Sequence, residues 1–337
     1  MLDNIISPAS PARLAAILPG LLLSFGIALS AVWVRDVSGI AALNPVAAAL
    51  LLGVALGTLS GHPAALKPGI AFSVRPLLRA AIVLLGLQVT LGALVSDGLG
   101  VLALAVTVVV LTLTFTIRLG RSLGVDPPLA QLIGMGTAIC GASAIVAANQ
   151  VVRGRDEDVT YALATITLCG TVALILYPAL MPMTGLNARA YGIWAGASIH
   201  EVVQAIGAAA AGGEEAARSG TVAKLARVFL LAPAVMALGV WIGRSPGKDK
   251  PIRVAVPWFA FGFLALVALN SLGLVPGVMV QASRGAVPIM LAASVAALGL
   301  STDLRALRAR GGAPLLLGVT STAFIAILAW AGALLLL

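Results

Sequence analysis

Charged residues are scarce in this chain. Asp, Glu, Lys and Arg make up 10% of its 337 residues, where a soluble protein carries roughly 25%. So few charges cannot cover the surface of a soluble fold of this size. Histidine and cysteine occur twice each. Cys140 and Cys169 both fall in apolar stretches with no CxxC spacing, so neither a disulfide framework nor a thiolate metal site is indicated. HEVVQ (200–204) begins like a zinc-protease HExxH, but Gln204 stands where the second histidine is required, and the other histidine is His62. No GxxxxGK[ST] loop is present, so ATP-driven pumping would need another chain. No cofactor or metal is expected. Short alternating segments of a β-barrel are also missing. The longest hydrophilic segment, 244–253, leaves no room for an extramembrane domain.

What the chain does have is apolar length. Hydrophobic residues reach 60% and the mean hydropathy is +1.08. Runs of about 17–25 residues, the span of a bilayer as helix, recur near 14–34, 43–60, 77–95, 99–118, 129–149, 159–180, 190–212, 221–243, 254–271, 282–302 and 313–337. The first run follows Arg13, lacks a small-residue cleavage site, and reads as a retained span. The stretch 61–76, with Lys67 and Arg75, reads as an interfacial helix. Turn residues punctuate the linkers at Asn44-Pro45, His62-Pro63, Asp126-Pro127-Pro128, Met181-Pro182 and Ser245-Pro246-Gly247. The expected fold class is an all-α polytopic membrane protein of eleven transmembrane helices. A peripheral first helix (1–42) would precede two five-helix repeats, 43–180 and 190–337, the second inverted because five is odd. One inverted pair of segments is visible, LLGLQVTLGAL (84–94) and AALGLSTDLRAL (296–307), but not at equivalent positions of that scheme.

The net charge of +9 does not indicate a nucleic-acid partner, because the basic residues sit in short loops between spans. Counting loops from the N-terminus as zero, even loops hold twice as many Lys and Arg as odd ones. That bias places the N-terminus in the cytoplasm and the C-terminus outside, in the periplasm of a cell with an inner membrane.

Polar residues inside the spans are candidates for function. In GMGTAICGASAIVAANQ (134–150), Gly134, Gly136 and Gly141 bracket Thr137, Cys140 and Ser143. Two readings stand side by side. A broken helix would leave a half-helix N-terminus, with open N–H groups and positive partial charge, as an anion site. A close-packed helix would use the same small residues as a contact face. In GIWAGASIHEVVQAIGA (192–208), Gly192, Gly196 and Gly207 flank Ser198, His200, Glu201 and Gln204. An ionisable pair inside a span points to function, and Glu201 with His200 reads as an ion-coupling pair. The alternatives are a structural pair near the membrane face, or Glu201 neutralised by Arg227 or Lys224. These two cations lie three apart on one helix face in TVAKLARVFLLAP. They either balance charge, attract an anion, or snorkel to the headgroups. Arg75 and Arg79 read as snorkelling, and Ser301, Thr302 and Asp303 as interfacial.

These motifs resemble one family nearly end to end. LLRAAIVLLGLQVTL (77–91), GTAICGASAIVA (136–147), VTYALATITLCGTVALILYPAL (159–180), GIWAGASIHEVVQAIGA (192–208), AKLARVFLLAP (223–233), VPWFAFGFLALVALNS (256–271) and AALGLSTDLRAL (296–307) are similar to the YeiH-type family of bacterial inner-membrane proteins, named for sulfate export. That family is grouped with the sodium/proton antiporter and bile-acid symporter superfamily. The resemblance implies inverted five-helix repeats, a core and a panel domain, and broken helices crossing near the midplane. It implies transport of a small anion, sulfate or a related sulfur anion, coupled to protons or sodium, and often a homodimer. The positions most distinctive of that family here are Cys140, Gly141, Ser143, His200, Glu201, Gln204, Lys224 and Arg227; joined to the reading of the residues, the expectation is a substrate site at Gly136, Thr137, Cys140, Gly141, Ser143, Ser198 and Gln204, ion coupling at His200 and Glu201, and charge balance by Lys224 and Arg227. The span expected to mirror 129–149 is then 282–302, which has fewer glycines. A passive anion channel and, less well supported, an intramembrane enzyme are the alternatives.

Overall fold

The computed structural model describes residues 11–38, 45–60, 63–242, 258–301 and 312–336. Every regular element among the described residues is a helix. The first are α1 (Pro11–Ser38) and α2 (Pro45–Ser60), followed by the composite α3 (Ala64–Gln88). Next come α4 (Leu91–Ser122), α5 (Pro127–Ala138), α6 (Ala142–Val152), α7 (Asp156–Leu180) and α8 (Ala188–Ser198). The rest are α9 (Val202–Ala210), α10 (Glu214–Phe229), α11 (Leu231–Trp241), α12 (Trp258–Ser271), α13 (Gly277–Ser301) and α14 (Gly312–Leu334). Seven stretches are long and apolar enough to cross a membrane: within α1, α3, α4, α7, α10 with α11, α13 and α14. Helices satisfy their backbone polar groups internally, which lipid demands.

The interfacial helix expected at 61–76 is not separate. From Ala64 it forms the first half of α3, which runs on through a π-helical turn, Ser73–Leu77, containing Pro76. A proline lacks the N–H of a regular turn, and a π turn absorbs the mismatch. His62, the cationic loop 243–257 and the segment 302–311, with Thr302 and Asp303, lie outside the described residues.

The chain divides into two compact units. One holds α1, α2, α3 as far as Ala81 and the end of α13 from Gly285. Its helices meet through glycine: a Cβ on Gly20 or Gly69 would strike the backbone of the other helix, as would one on Gly53 or Gly299 between α2 and α13. Ile27, Ala31, Ala49, Ile70, Ala296 and Leu300 fill its core. Lipid tails supply no hydrophobic drive for helix association, so close contact of small residues does this work.

The other unit, Ile82–Arg284 with Asp303–Leu337, contains a departure from the expected topology. The segment expected to span at 129–149, and the one at 190–212, left open in the sequence between a full span and re-entry, each fold back as a helical hairpin. In a straight helix Asp126 and Arg155 would lie roughly 40 Å apart; instead Arg155 Nη2 is 3.2 Å from Asp126 Oδ2. Thus α5 runs inward, turns at Ile139–Gly141, and α6 returns beside it, with Gly136 against Ile145. Likewise Tyr191 Oη donates to Ala208 O at 3.0 Å, although a straight helix would separate those residues by roughly 25 Å. So α8 and α9 form a second hairpin, folded at Ile199–Glu201. The two hairpins are joined by α7, whose apolar stretch Asp156–Met183 extends roughly 40 Å. Their open ends lie at its opposite ends and their tips face each other. Of the expected mate of the first hairpin, 282–302, the described residues 282–301 lie in α13, which is continuous through Pro288.

Candidate functional site

The two hairpin tips meet around two buried cations. Each tip leaves a half-helix C-terminus whose last carbonyls lack helical partners. Lys224 and Arg227, both fully buried on α10, supply the donors. Arg227 Nε donates to Ala138 O at 3.0 Å and Nη2 to Thr137 O at 2.7 Å, at the end of α5. Its Nη1 donates to Gly196 O at 3.3 Å and Ile199 O at 2.9 Å, at the end of α8. Lys224 Nζ donates to Ile139 O at 3.1 Å, to Ile199 O at 2.7 Å and to His200 O. Positive charge at two helix C-termini also complements their dipoles. The bonding groups of these cations thus face backbone carbonyls, a partner that sequence cannot display.

α10 reaches the tips because glycine lets it. A Cβ on Gly192 or Gly196 would strike the carbonyl of Ala216 or Gly220 across the α8–α10 contact. Asn187 starts α8 by accepting the Ala190 N–H at 2.8 Å, and Ser219 Oγ ties α10 to Arg189 O at 2.9 Å. The foot of the first hairpin is closed by Asn149 Oδ1, which accepts the Gly154 N–H at 2.8 Å, and by Asp158, whose Oδ2 accepts the Arg155 N–H at 2.9 Å. The Asp126–Arg155 ion pair is solvent-exposed and marks the geometry more than it stabilises it.

The half-helix N-termini carry the opposite charge logic. Glu201 is the N-cap of α9, with Gln204 at N3; Gln204 Oε1 accepts the Glu201 N–H at 3.4 Å. The Glu201 side chain also lies on Gly141, the N-cap of α6. A Cβ at Gly141 would stand 2.7 Å from Glu201 Cγ and 3.2 Å from Oε1. One half-exposed carboxylate therefore serves the positive ends of both returning arms. Gly141 has φ +69° and ψ −125°, a region essentially reserved for glycine. Gly141→Ala should lower the melting midpoint of the purified protein by several degrees. Gly124→Ala, at φ +68° with open space around it, is the control and should cost less. Equal losses would mean that the Glu201 contact is immaterial.

The remaining expected residues fall in the same place. His200 is fully buried, and its Nε2 lies 3.1 Å from Thr322 Oγ1. That hydroxyl donates its proton to Gly318 O at 2.7 Å, so it accepts from His200, which assigns the Nε2–H tautomer. His200 Nδ1 and Thr137 Oγ1 are then buried polar atoms with no hydrogen-bond partner among the described residues. Ser198 Oγ hydrogen-bonds Tyr177 Oη at 2.8 Å. Gln204 Nε2 donates to Thr167 O and Thr171 Oγ1, both at 3.2 Å, across Gly170. Cys140 forms the first tip, and Ser143 lies in the first turn of α6. Tyr177, Thr171 and Thr322 were not singled out by sequence; their signal is a hydroxyl inside an apolar span. Beside the second hairpin a cavity of ≈ 200 Å³ is lined by Gln88, Thr90, Arg189, Arg218 and Ser219 among others.

Known proteins resemble this chain throughout its length. The family model described as Conserved hypothetical protein 698 matches residues 19–318. A UPF0324 membrane protein of Agrobacterium fabrum is 35% identical over 321 residues, covering 94% of this chain and 92% of that protein. One of Pseudomonas aeruginosa is 36% identical over 333 residues, covering 93% of each. The UPF0324 membrane protein TauZ of Paracoccus denitrificans is 35% identical over 330 residues, covering 96% of this chain and 97% of that protein. No solved structure matches the chain. The family match and these relatives bear out the resemblance read from the motifs: the chain belongs to the UPF0324, or YeiH-type, family of membrane proteins.

Proposed function

We propose that this protein is a secondary transporter of a small anion, sulfate or a related sulfur-containing anion, with its substrate centre where the hairpin tips meet. The observation that carries this reading is the facing pair of tips, held together by buried Lys224 and Arg227. Unwound backbone at membrane depth is tolerated where it is buried in protein or lines a cavity, and in transporters it forms the binding centre. The half-helix N-termini at Ala142 and Val202 supply dipoles that favour an anion. Gly136, Thr137, Cys140, Gly141, Ser143, Ser198 and Gln204 surround that centre in this reading. Glu201 and His200 carry the coupling charge. Lys224 and Arg227 balance charge through the helix ends.

In this reading nine crossings, the seven long apolar stretches together with the shorter apolar helices α2 and α12, and two re-entrant hairpins take the place of eleven crossings. In this reading the first hairpin's foot shares its face with Arg118, Arg121, Arg153 and Arg155, and counting crossings along the sequence assigns the Lys and Arg of 243–257 and 302–311 to the same side. The opposite face has Arg35, Arg189, Arg218 and Arg284. The bias places the first hairpin's foot and the N-terminus in the cytoplasm and the C-terminus in the periplasm of an inner membrane. It is steeper than in the eleven-crossing scheme, because Arg153 and Arg155 join the cytoplasmic side and the buried Lys224 and Arg227 leave the loop count, which outweighs Arg189 moving the other way. Hairpins entering from opposite faces are inverted relative to each other, so the inverted relation pairs 127–152 with 188–210 in place of span five with span ten.

The test is uptake into proteoliposomes of a panel of sulfur oxyanions and sulfonates under an imposed pH or sodium gradient. Accumulation above the equilibrium level is expected for at least one anion. Dissipation without accumulation would identify a channel, and conversion of substrate in detergent an enzyme.

A further inference from the structure

Three carbonyl oxygens from two separate chain breaks converge on the Lys224 amino group. Ile139 O comes from the first tip, and Ile199 O and His200 O from the second. An ammonium has three N–H donors, and here all three are engaged. A neutral amine has two, which would leave one carbonyl facing a lone pair, so the arrangement selects the charged form. Lys224 is fully buried. Inward carbonyls on unwound backbone, shielded from water, are the ligands that a small dehydrated monovalent cation takes. Arg227 shares Ile199 O but directs its remaining donors to Thr137, Ala138 and Gly196, so it borders this cluster without filling it.

We propose that the facing tips form a monovalent-cation site whose permanent occupant is the ammonium of Lys224, tethered to α10. The tether keeps the two tips together in any salt and denies the position to free sodium. It follows that sodium is not a coupling ion at this centre, which leaves the proton. That last step rests on the transporter reading; the site itself does not.

The experiment compares the thermal midpoints of full-length protein in detergent, in sodium, potassium, ammonium or choline chloride. Wild type should melt at the same temperature in all four. Lys224→Ala vacates the site: it should melt lower than wild type in choline and recover by about 5 °C in ammonium or sodium, the gain expected for a ligand well above its Kd. Lys224→Met fills the space without charge and should stay low in every salt. A wild type stabilised by sodium over choline would overturn the proposal. So would a Lys224→Ala protein as stable as wild type in choline, or one as indifferent to cations as Lys224→Met. If Lys224→Ala does not accumulate, the wild-type comparison decides: sodium sensitivity rejects the proposal and insensitivity supports it. A protein with the expected cation pattern but no anion flux in liposomes would keep this proposal and remove the transporter reading.

Discussion

Arg227→Ala should prevent the protein from accumulating in a monodisperse form, or lower its melting midpoint by roughly 10 °C. The guanidinium bonds four carbonyls from two hairpins. One of them, Ile199 O, keeps Lys224. The carbonyls of Thr137, Ala138 and Gly196 lose their side-chain donor in a fully buried site. Each buried unsatisfied group costs about 1–3 kcal/mol, together about 3–9 kcal/mol. That is comparable with the whole stability of a typical domain, about 5–15 kcal/mol. Arg227→Lys should fall between the two, because an ammonium keeps the charge but cannot reach four acceptors on a planar fork. Size-exclusion profiles and thermal melts in detergent give the comparison. An Arg227→Ala protein that elutes and melts like wild type would show that the tips do not depend on this cation.

The positions of these residues were legible in the sequence, and their hydrogen-bond acceptors were not. Lys224 and Arg227 stood out as charges inside an apolar stretch, which made Glu201 the natural partner to expect. Their hydrogen-bond acceptors turned out to be main-chain carbonyls, which every residue has and which therefore leave no mark in a sequence. The break in 134–143 could be suspected from Gly136 and Gly141, since a glycine with φ +69° is required there. The reversal of direction there could not, although for 190–212 the sequence left crossing and re-entry open. Two short apolar arms joined at a tip have the same length and hydropathy as one crossing, so 129–149 and 190–212 counted as spans. The charges at the two feet held the missing information. Asp126 and Arg155 are unlike charges at both ends of one supposed span, and they are adjacent in space. In the proposed topology, counting Arg153 and Arg155 with Arg118 and Arg121 steepens the charge bias relative to the eleven-span scheme.

Glu201→Gln should abolish gradient-driven accumulation while leaving exchange of anion for anion measurable. In the structure the Glu201 side chain caps α9 and lies on the N-cap of α6, so it occupies the ground that an incoming anion would take. Two negative charges sharing that ground repel, and protonation of the carboxylate relieves the repulsion. Binding an anion and binding a proton then become linked, which is the requirement for coupling. Glutamine has nearly the shape of a protonated glutamate and cannot release a proton. The variant should therefore bind anion at any pH, exchange it across the membrane, and ignore a proton gradient. Gln204→Ala makes the contrasting case: it removes the acceptor of the Glu201 N–H and the bridge to Thr167 and Thr171 without removing the carboxylate. It should weaken flux while keeping its dependence on the proton gradient. The measurements are counterflow at equal pH and uptake under an imposed pH difference, with each variant at matched incorporation. Undiminished accumulation in Glu201→Gln would remove Glu201 from the coupling role and leave it a helix cap.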